Sequence, residues 1–158
     1  MIVFGPAGAV ARRENVDFDA LAPVPLGVGR VHRPGTDVTV VAVGHLVYDA
    51  LAVADELSGT ISVEVFDPRT LYPFDWTALA ASLERTGRLV VIDDSNRTCG
   101  IGGEILATAA EEMHLVAPPK RVTRPDGAVL PFARDLDLAL QPTRSQLRVA
   151  IETVAKNR

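Results

Sequence analysis

The chain has 158 residues, 47% hydrophobic and 23% charged, an ordinary globular composition with length enough for a real core. Its 16 basic and 20 acidic residues leave a formal net charge of −4, which argues against a nucleic-acid footprint. No apolar run approaches the ~20 residues of a membrane-spanning helix, and a single cysteine excludes an internal disulfide and any cysteine-based metal cluster.

The start, MIVFGPAGAVARR, lacks a basic leader ahead of a long apolar segment, so no signal peptide is expected and the cytoplasm is the expected compartment. Residues 1–36 differ from the rest in their proline and glycine punctuation. They predict an extended connecting arm with short strands, LGVGRVH among them as an edge strand before the Pro34-Gly35 turn. A regular rhythm begins at Asp37, so a domain is expected over 37–158. DVTVVAVG (37–44) is continuously apolar and β-branched, as a strand covered on both faces should be. Leu46, Val47, Ala50, Leu51, Ala54 and Leu57 then share one helical face, with Ser58-Gly59 as the expected glycine C-cap.

ISVEVFD (61–67) predicts a second strand and PRTLYPF a loop. Asp75 is placed to cap a helix over WTALAASLERTG that Gly87 closes. RLVVIDD (88–94) predicts a third buried strand, followed by a glycine-rich loop and a helix over GEILATAAEEMHL that Pro118-Pro119 must break. KRVTRPD (120–126) holds a short strand, an irregular segment runs to Pro142, and Thr143 caps a last helix. Strands alternating with helices of about a dozen residues imply βαβ units: an α/β fold with a largely parallel sheet and helices on both faces.

The loop DDSNRTCGIGGEI (93–105) stands between a buried strand and a helix, where phosphate-binding turns occur. A dinucleotide fingerprint needs G-x-G-x-x-G; Gly100 and Gly102 supply two positions, but Ile105 holds the third. Backbone N–H groups at the helix start, with Arg97 and Thr98, are candidates to hold an anion. Glu104 in the first helical turn would compete for the same positive dipole. A structural turn and an anion contact both fit the residues. Cys99 has no histidine near it in sequence to serve as its base, and packs as a small side chain on this pattern.

His32, His45 and His114 lie in separate elements without metal-ligand spacing, although His45 follows a strand where α/β proteins place their sites. Asp93-Asp94 and Glu111-Glu112 are sequence neighbours that point to different faces, so neither pair forms a ready dyad. Glu111 and Glu112 suit a solvated or docking face. In DPRTLYPFD (67–75), Asp67 can close an Asx turn, and Arg69 is a candidate for a carboxylate or a subunit contact.

PLG (25–27), DVTVVAVG, DPRTLYPFD, GRLVVIDD, RTCGIGGE (97–104), KRVTRPD and QPT (141–143) occur in a distinctive order. That order resembles the C-terminal domain of transketolase-like, thiamine-diphosphate-dependent enzymes. Within them it is most similar to the β chain of the E1 component of 2-oxoacid dehydrogenase complexes, over residues 20 to 158. The resemblance implies a three-layer α/β/α domain with a five-strand, mostly parallel sheet. It makes residues 1 to about 19 the last strand and exit linker of a preceding pyrimidine-binding domain.

It also implies that the cofactor-activating glutamate lies in that other domain and the diphosphate motif in the partner α chain. This chain would then hold no catalytic residue, cofactor or metal ligand, with thiamine diphosphate and magnesium belonging to the full enzyme. The implied partners are the E1 α chain, a second β chain and the subunit-binding domain of the E2 acyltransferase; neither nucleic acid nor membrane is implied. Cys99 stands where the family turn has a glycine, Val28 and Gly29 replace a lysine-and-small pair, and His45 falls where the family varies freely. Two other readings remain: a phosphate- or nucleotide-binding α/β protein using Arg97, Thr98, Gly100 and Gly102, and the C-domain of a transketolase or deoxyxylulose-phosphate synthase.

Overall fold

Five strands form one sheet in the computed structural model, which describes residues 13, 15, 17–20, 22–127 and 129–156. In chain order they are β1 (Arg30–Arg33), β2 (Val38–Ala42), β3 (Val63–Asp67), β4 (Leu89–Asn96) and β5 (Lys120–Arg124). The helices are α1 (Leu46–Glu56), α2 (Trp76–Thr86), α3 (Ile101–Glu112), α4 (Arg134–Leu140) and α5 (Arg144–Lys156). The strand order across the sheet is β1-β3-β2-β4-β5, parallel throughout except for β1. The strand expected near the start of residues 1–19 lies outside the described residues, which include a short 3-10 turn at Phe18–Ala20.

Central β2 is buried at all its positions because strands flank it and helices cover both faces. Side chains alternate across the pleat and so divide the core in two. Val38, Val40, Ala42, Val63, Val65, Val90 and Ile92 face α1 and α5, meeting Leu46, Ala50, Val53, Leu147, Ile151 and Val154. Val41, Phe66, Leu89 and Val91 face α2 and α3, meeting Leu79, Leu83, Ile105 and Ala109. The result is the expected three-layer α/β/α arrangement. Each fully buried Leu or Ile contributes about 1.5–3 kcal/mol relative to exposure.

The α2 side of the sheet also buries a polar group. The Thr39 hydroxyl meets that of Thr86 at 2.8 Å and donates to Glu64 Oε1 at 3.3 Å, while Arg85 Nη2 donates to Glu64 Oε2 at 2.6 Å. Thr39 and Glu64 are register partners on β2 and β3, which is why the two side chains meet.

Several boundaries move. A division after residue 36 cuts off β1, which pairs antiparallel with β3 as the expected edge strand, with Arg30 opposite Asp67. Its charges and the register shift between Val31 and Arg33 blunt the open edge. Helix α1 ends at Leu57 in right-handed geometry, not on a left-handed Gly59, and the Thr60 and Ile61 amides close the turn on the Leu57 carbonyl. Helix α3 leaves helical geometry at Met113, before Pro118-Pro119, as the chain turns to bond Val116 N–H to the Gly87 carbonyl at 2.8 Å. The irregular segment before Pro142 contains α4, which the sequence conceals because it has no side-chain cap and no buried residue.

Capping follows the residues closely elsewhere. Asp75 Oδ1 accepts from Ala78 N–H at 3.0 Å, and Gly87 closes α2 in the left-handed conformation with φ 61°. Thr143 and Gln146 form a reciprocal capping box at the start of α5, with bonds of 3.2 and 2.9 Å.

Candidate functional site at the carboxyl end of the sheet

The chain steps from β2 to β3 on one side and returns to β4 on the other, so the strand order reverses beside β2. The carboxyl ends of β2 and β4 therefore flank the crevice where α/β proteins place ligands. His45, the 97–104 loop and the turn after β5 gather there. His45 is half-buried at the start of α1 and makes no capping bond through its side chain.

The loop after β4 spends its polar groups within the chain. Thr98 donates its backbone N–H to Asp126 Oδ1 at 2.7 Å and its hydroxyl to Oδ2 at 2.8 Å. Arg97 N–H bonds the Arg124 carbonyl at 3.2 Å, and Gly103 N–H bonds the Gly100 carbonyl at 2.9 Å. Asp93 lies beneath the start of α3, where its Oδ2 accepts from Ser95 Oγ and, at 3.3 Å, from Gly102 N–H. A protein carboxylate thus already occupies the positive end of this helix, the place an external anion would take.

The two fingerprint-like glycines serve different ends. A Cβ on Gly100 would overlap the Asn96 carbonyl oxygen and Ser95 Oγ, so the residue is glycine for room, with an ordinary φ of −81°. At Gly102 a Cβ would rest 3.5 Å from Val91 Cγ1, an ordinary contact. Cys99 does not pack as expected: it is exposed, in left-handed geometry with φ 60°. An open depression of about 500 Å³ is lined by Cys99, Gly100, Ile101, Gly103 and Glu104, whose negative charge disfavours an anion there.

The end of β5 and the turn after it supply residues that the sequence reasoning missed. Arg124 is buried and bridges two carboxylates, giving Nε to Asp94 at 2.6 Å and Nη1 to Asp137 at 2.8 Å. The hydrogen bond to Asp94 leads in holding the guanidinium more firmly protonated than usual, and Asp137 adds to it. Asp94 and Asp93 point to opposite faces of β4, one to Arg124 and the other to α3. Asp126 sits two residues beyond Arg124, and its carboxyl is held below the ordinary range by the two bonds from Thr98. Both anchors lie in the RPD stretch (124–126), whose two opposite charges flanking a proline were the available signal.

The DPRTLYPFD loop is a brace. Asp67 Oδ1 accepts from Arg69 N–H at 2.8 Å, the expected Asx turn, and its Oδ2 lies 3.2 Å from His32 Nε2. Thr70 Oγ1 donates to the Pro73 carbonyl at 2.7 Å and accepts from Gly27 N–H at 3.0 Å; the Tyr72-Pro73 peptide is cis. Asp75 caps α2 with one oxygen and takes Gly29 N–H on the other at 2.8 Å, so Thr70 and Asp75 tie Gly27 and Gly29 to this loop. Arg69 is exposed with φ 57°, while Tyr72, Glu111, Glu112 and His114 are exposed. The candidate sets therefore separate: Arg97, Thr98, Gly100 and Gly102 share one loop, and Arg69 stands on another after β3. Glu111 and Glu112 lie at the far end of α3.

Residues 27–147 match the family described as "Transketolase, C-terminal domain". The β subunit of acetoin:2,6-dichlorophenolindophenol oxidoreductase from Bacillus subtilis is 42% identical over 78% of this chain and 37% of its own length. The β subunit of 2-oxoisovalerate dehydrogenase from Pseudomonas aeruginosa is 36% identical over 86% of this chain and 38% of its own. Among solved structures, a split-gene transketolase described as an inactive β4 tetramer superposes with a TM-score of 0.76 and 25% identity, covering 92% of this chain and 47% of that one. The chain spans less than two fifths of the length of the two curated relatives. With its sheet order, layers and motif-bearing loops, the chain belongs to the transketolase C-terminal domain family.

Proposed function

We propose that this chain is the C-terminal assembly and E2-docking domain of the β chain of a thiamine-diphosphate-dependent 2-oxoacid dehydrogenase E1 component. The full enzyme would decarboxylate a 2-oxoacid oxidatively and pass the acyl group to E2. The observation that carries the reading is the family match over residues 27–147, joined to relatives that are β subunits and extend well beyond it. The solved relative described as an inactive β4 tetramer is consistent with a domain that assembles without catalysing by itself.

The reading makes binding, not chemistry, the role of this chain. Thiamine diphosphate with magnesium needs anion donors and oxygen ligands together. Among the described residues no group of three or more His, Cys, Asp or Glu side chains is placed to hold a metal ion. The amide of Gly102 and both donors of Thr98 are already bonded to Asp93 and Asp126. The reading assigns the cofactor to the rest of the enzyme. Large side chains stand exposed instead, among them Leu71, Tyr72, Leu130 and Phe132, as on surfaces that meet other chains.

The proposed partners are the E1 α chain, a second β chain and the E2 subunit-binding domain, with Arg69, Glu111 and Glu112 at candidate interfaces and the cytoplasm as compartment. No helix among the described residues is long and apolar enough to cross a membrane. Calorimetric titration of the 158-residue chain tests the reading. It is expected to show saturable binding to an E2 subunit-binding domain and none to thiamine diphosphate with magnesium. Cofactor binding near the micromolar range, or turnover of a 2-oxoacid by the chain alone, would sink it.

A further inference from the structure

Segment 129–141 is attached in an unusual way for a helix-bearing stretch. Helix α4 within it buries none of its residues, and Leu136 and Leu138 remain 60% and 49% exposed. Val129, Leu130 and Phe132 ahead of it are exposed too. Its backbone bonds are local, from Asp137 N–H to the Ala133 carbonyl and from Gln141 N–H to that of Leu138. Among the described residues, the side-chain bond joining it to the sheet is Arg124 Nη1 to Asp137 Oδ1 at 2.8 Å. Gln141 braces that carboxylate from within the segment, at 2.8 Å to Oδ2.

The two flanks are held differently. β5 is paired to β4 along its length, and Thr98 clasps Asp126 just beyond it. On the other side Pro142 is buried and Leu147 lies in the core. The segment is therefore a strap between two fixed ends, held in the middle by one ion pair and by little apolar burial.

We propose that residues 129–141 form a hinged strap latched by Arg124 on Asp137, opening as a unit while the sheet stays folded. Arg124 can release Asp137 without becoming a lone buried charge, because Asp94 on β4 keeps its Nε bonded at 2.6 Å. A segment tied by a charge-assisted bond and sheltered by few apolar contacts belongs to the low-stability end of a domain's local openings.

Hydrogen exchange read by mass spectrometry on the full chain tests this, with Asp137→Asn as the variant and Asp135→Asn as the control on the same helix. In Asp137→Asn the amides of α4 are expected to exchange about tenfold faster or more, and trypsin to cut after Arg134 correspondingly faster. Amides of β2 and β4 should keep their wild-type rates, and Asp135→Asn should leave the strap unchanged. Unchanged exchange and cleavage in Asp137→Asn would overturn the proposal, as would a uniform acceleration that reaches β2 and β4. Wild-type α4 amides already exchanging at unprotected rates would overturn it as well.

Discussion

Thr98 gives both its backbone N–H and its hydroxyl to Asp126, at 2.7 and 2.8 Å, and so fastens the loop after β4 to the turn after β5. The backbone bond leads and the hydroxyl bond follows in holding the Asp126 carboxyl below its usual value of 3.8, with the charges of Arg97 and Arg121 adding. A carboxyl depressed on folding adds stability that is complete above its unfolded pKa and is lost as pH falls through the folded one. Asp126→Asn should therefore lower the melting temperature at neutral pH, and the difference from wild type should close in acid below the usual carboxylate range. Thermal melts followed by circular dichroism check this. A difference that persists undiminished in acid would contradict it.

The glycines of the same loop predict opposite responses. Ala at Gly100 places a methyl against the Asn96 carbonyl and Ser95 Oγ, and should cost about 1–3 kcal/mol as the backbone shifts to make room. Ala at Gly102 meets Val91 at ordinary contact distance within helix α3, and should be neutral or gain up to about 1 kcal/mol from helix propensity. Urea unfolding of the two variants separates these outcomes. Equal losses would show that the loop demands glycine at both positions.

Exposed Tyr72 and Phe132 test the assembly reading. Neither side chain packs in the core, so Tyr72→Ser and Phe132→Ser should each stay within about 0.5 kcal/mol of wild-type stability. If either exposed side chain meets the E1 α chain or a second β chain, its substitution should weaken that association tenfold or more. Size-exclusion chromatography with light scattering, beside calorimetry, reads both properties. Full association in both variants would remove both side chains from the assembly surface.

Much of the fold was legible because its elements depend on local chemistry. β2 and β4 read as buried strands from their unbroken β-branched runs, and α2 announces both its ends through Asp75 and Gly87. At two of the places where the reading failed, a contact from elsewhere in the chain accompanies the change. The chain leaves the helix at Met113, five residues ahead of Pro118, and Val116 N–H bonds the Gly87 carbonyl. Helix α4 escaped notice because it lacks a cap and an apolar face in the core, and stands on an ion pair to a residue ten or more positions earlier.

The candidate site divides along the same line. Periodicity and turn chemistry by themselves determined an α/β sheet with a glycine-bearing loop at the carboxyl end of β4, and the motif order indicated the family. They left open whether that loop waits for an anion, since a helix N-terminus offers donors whatever fills them. Only the tertiary structure decided where those donors go. It brings Asp93 under Gly102 from the preceding strand and Asp126 against Thr98 from the next one. Those pairings depend on how β4, α3 and β5 pack in space, and no spacing along the chain encodes them.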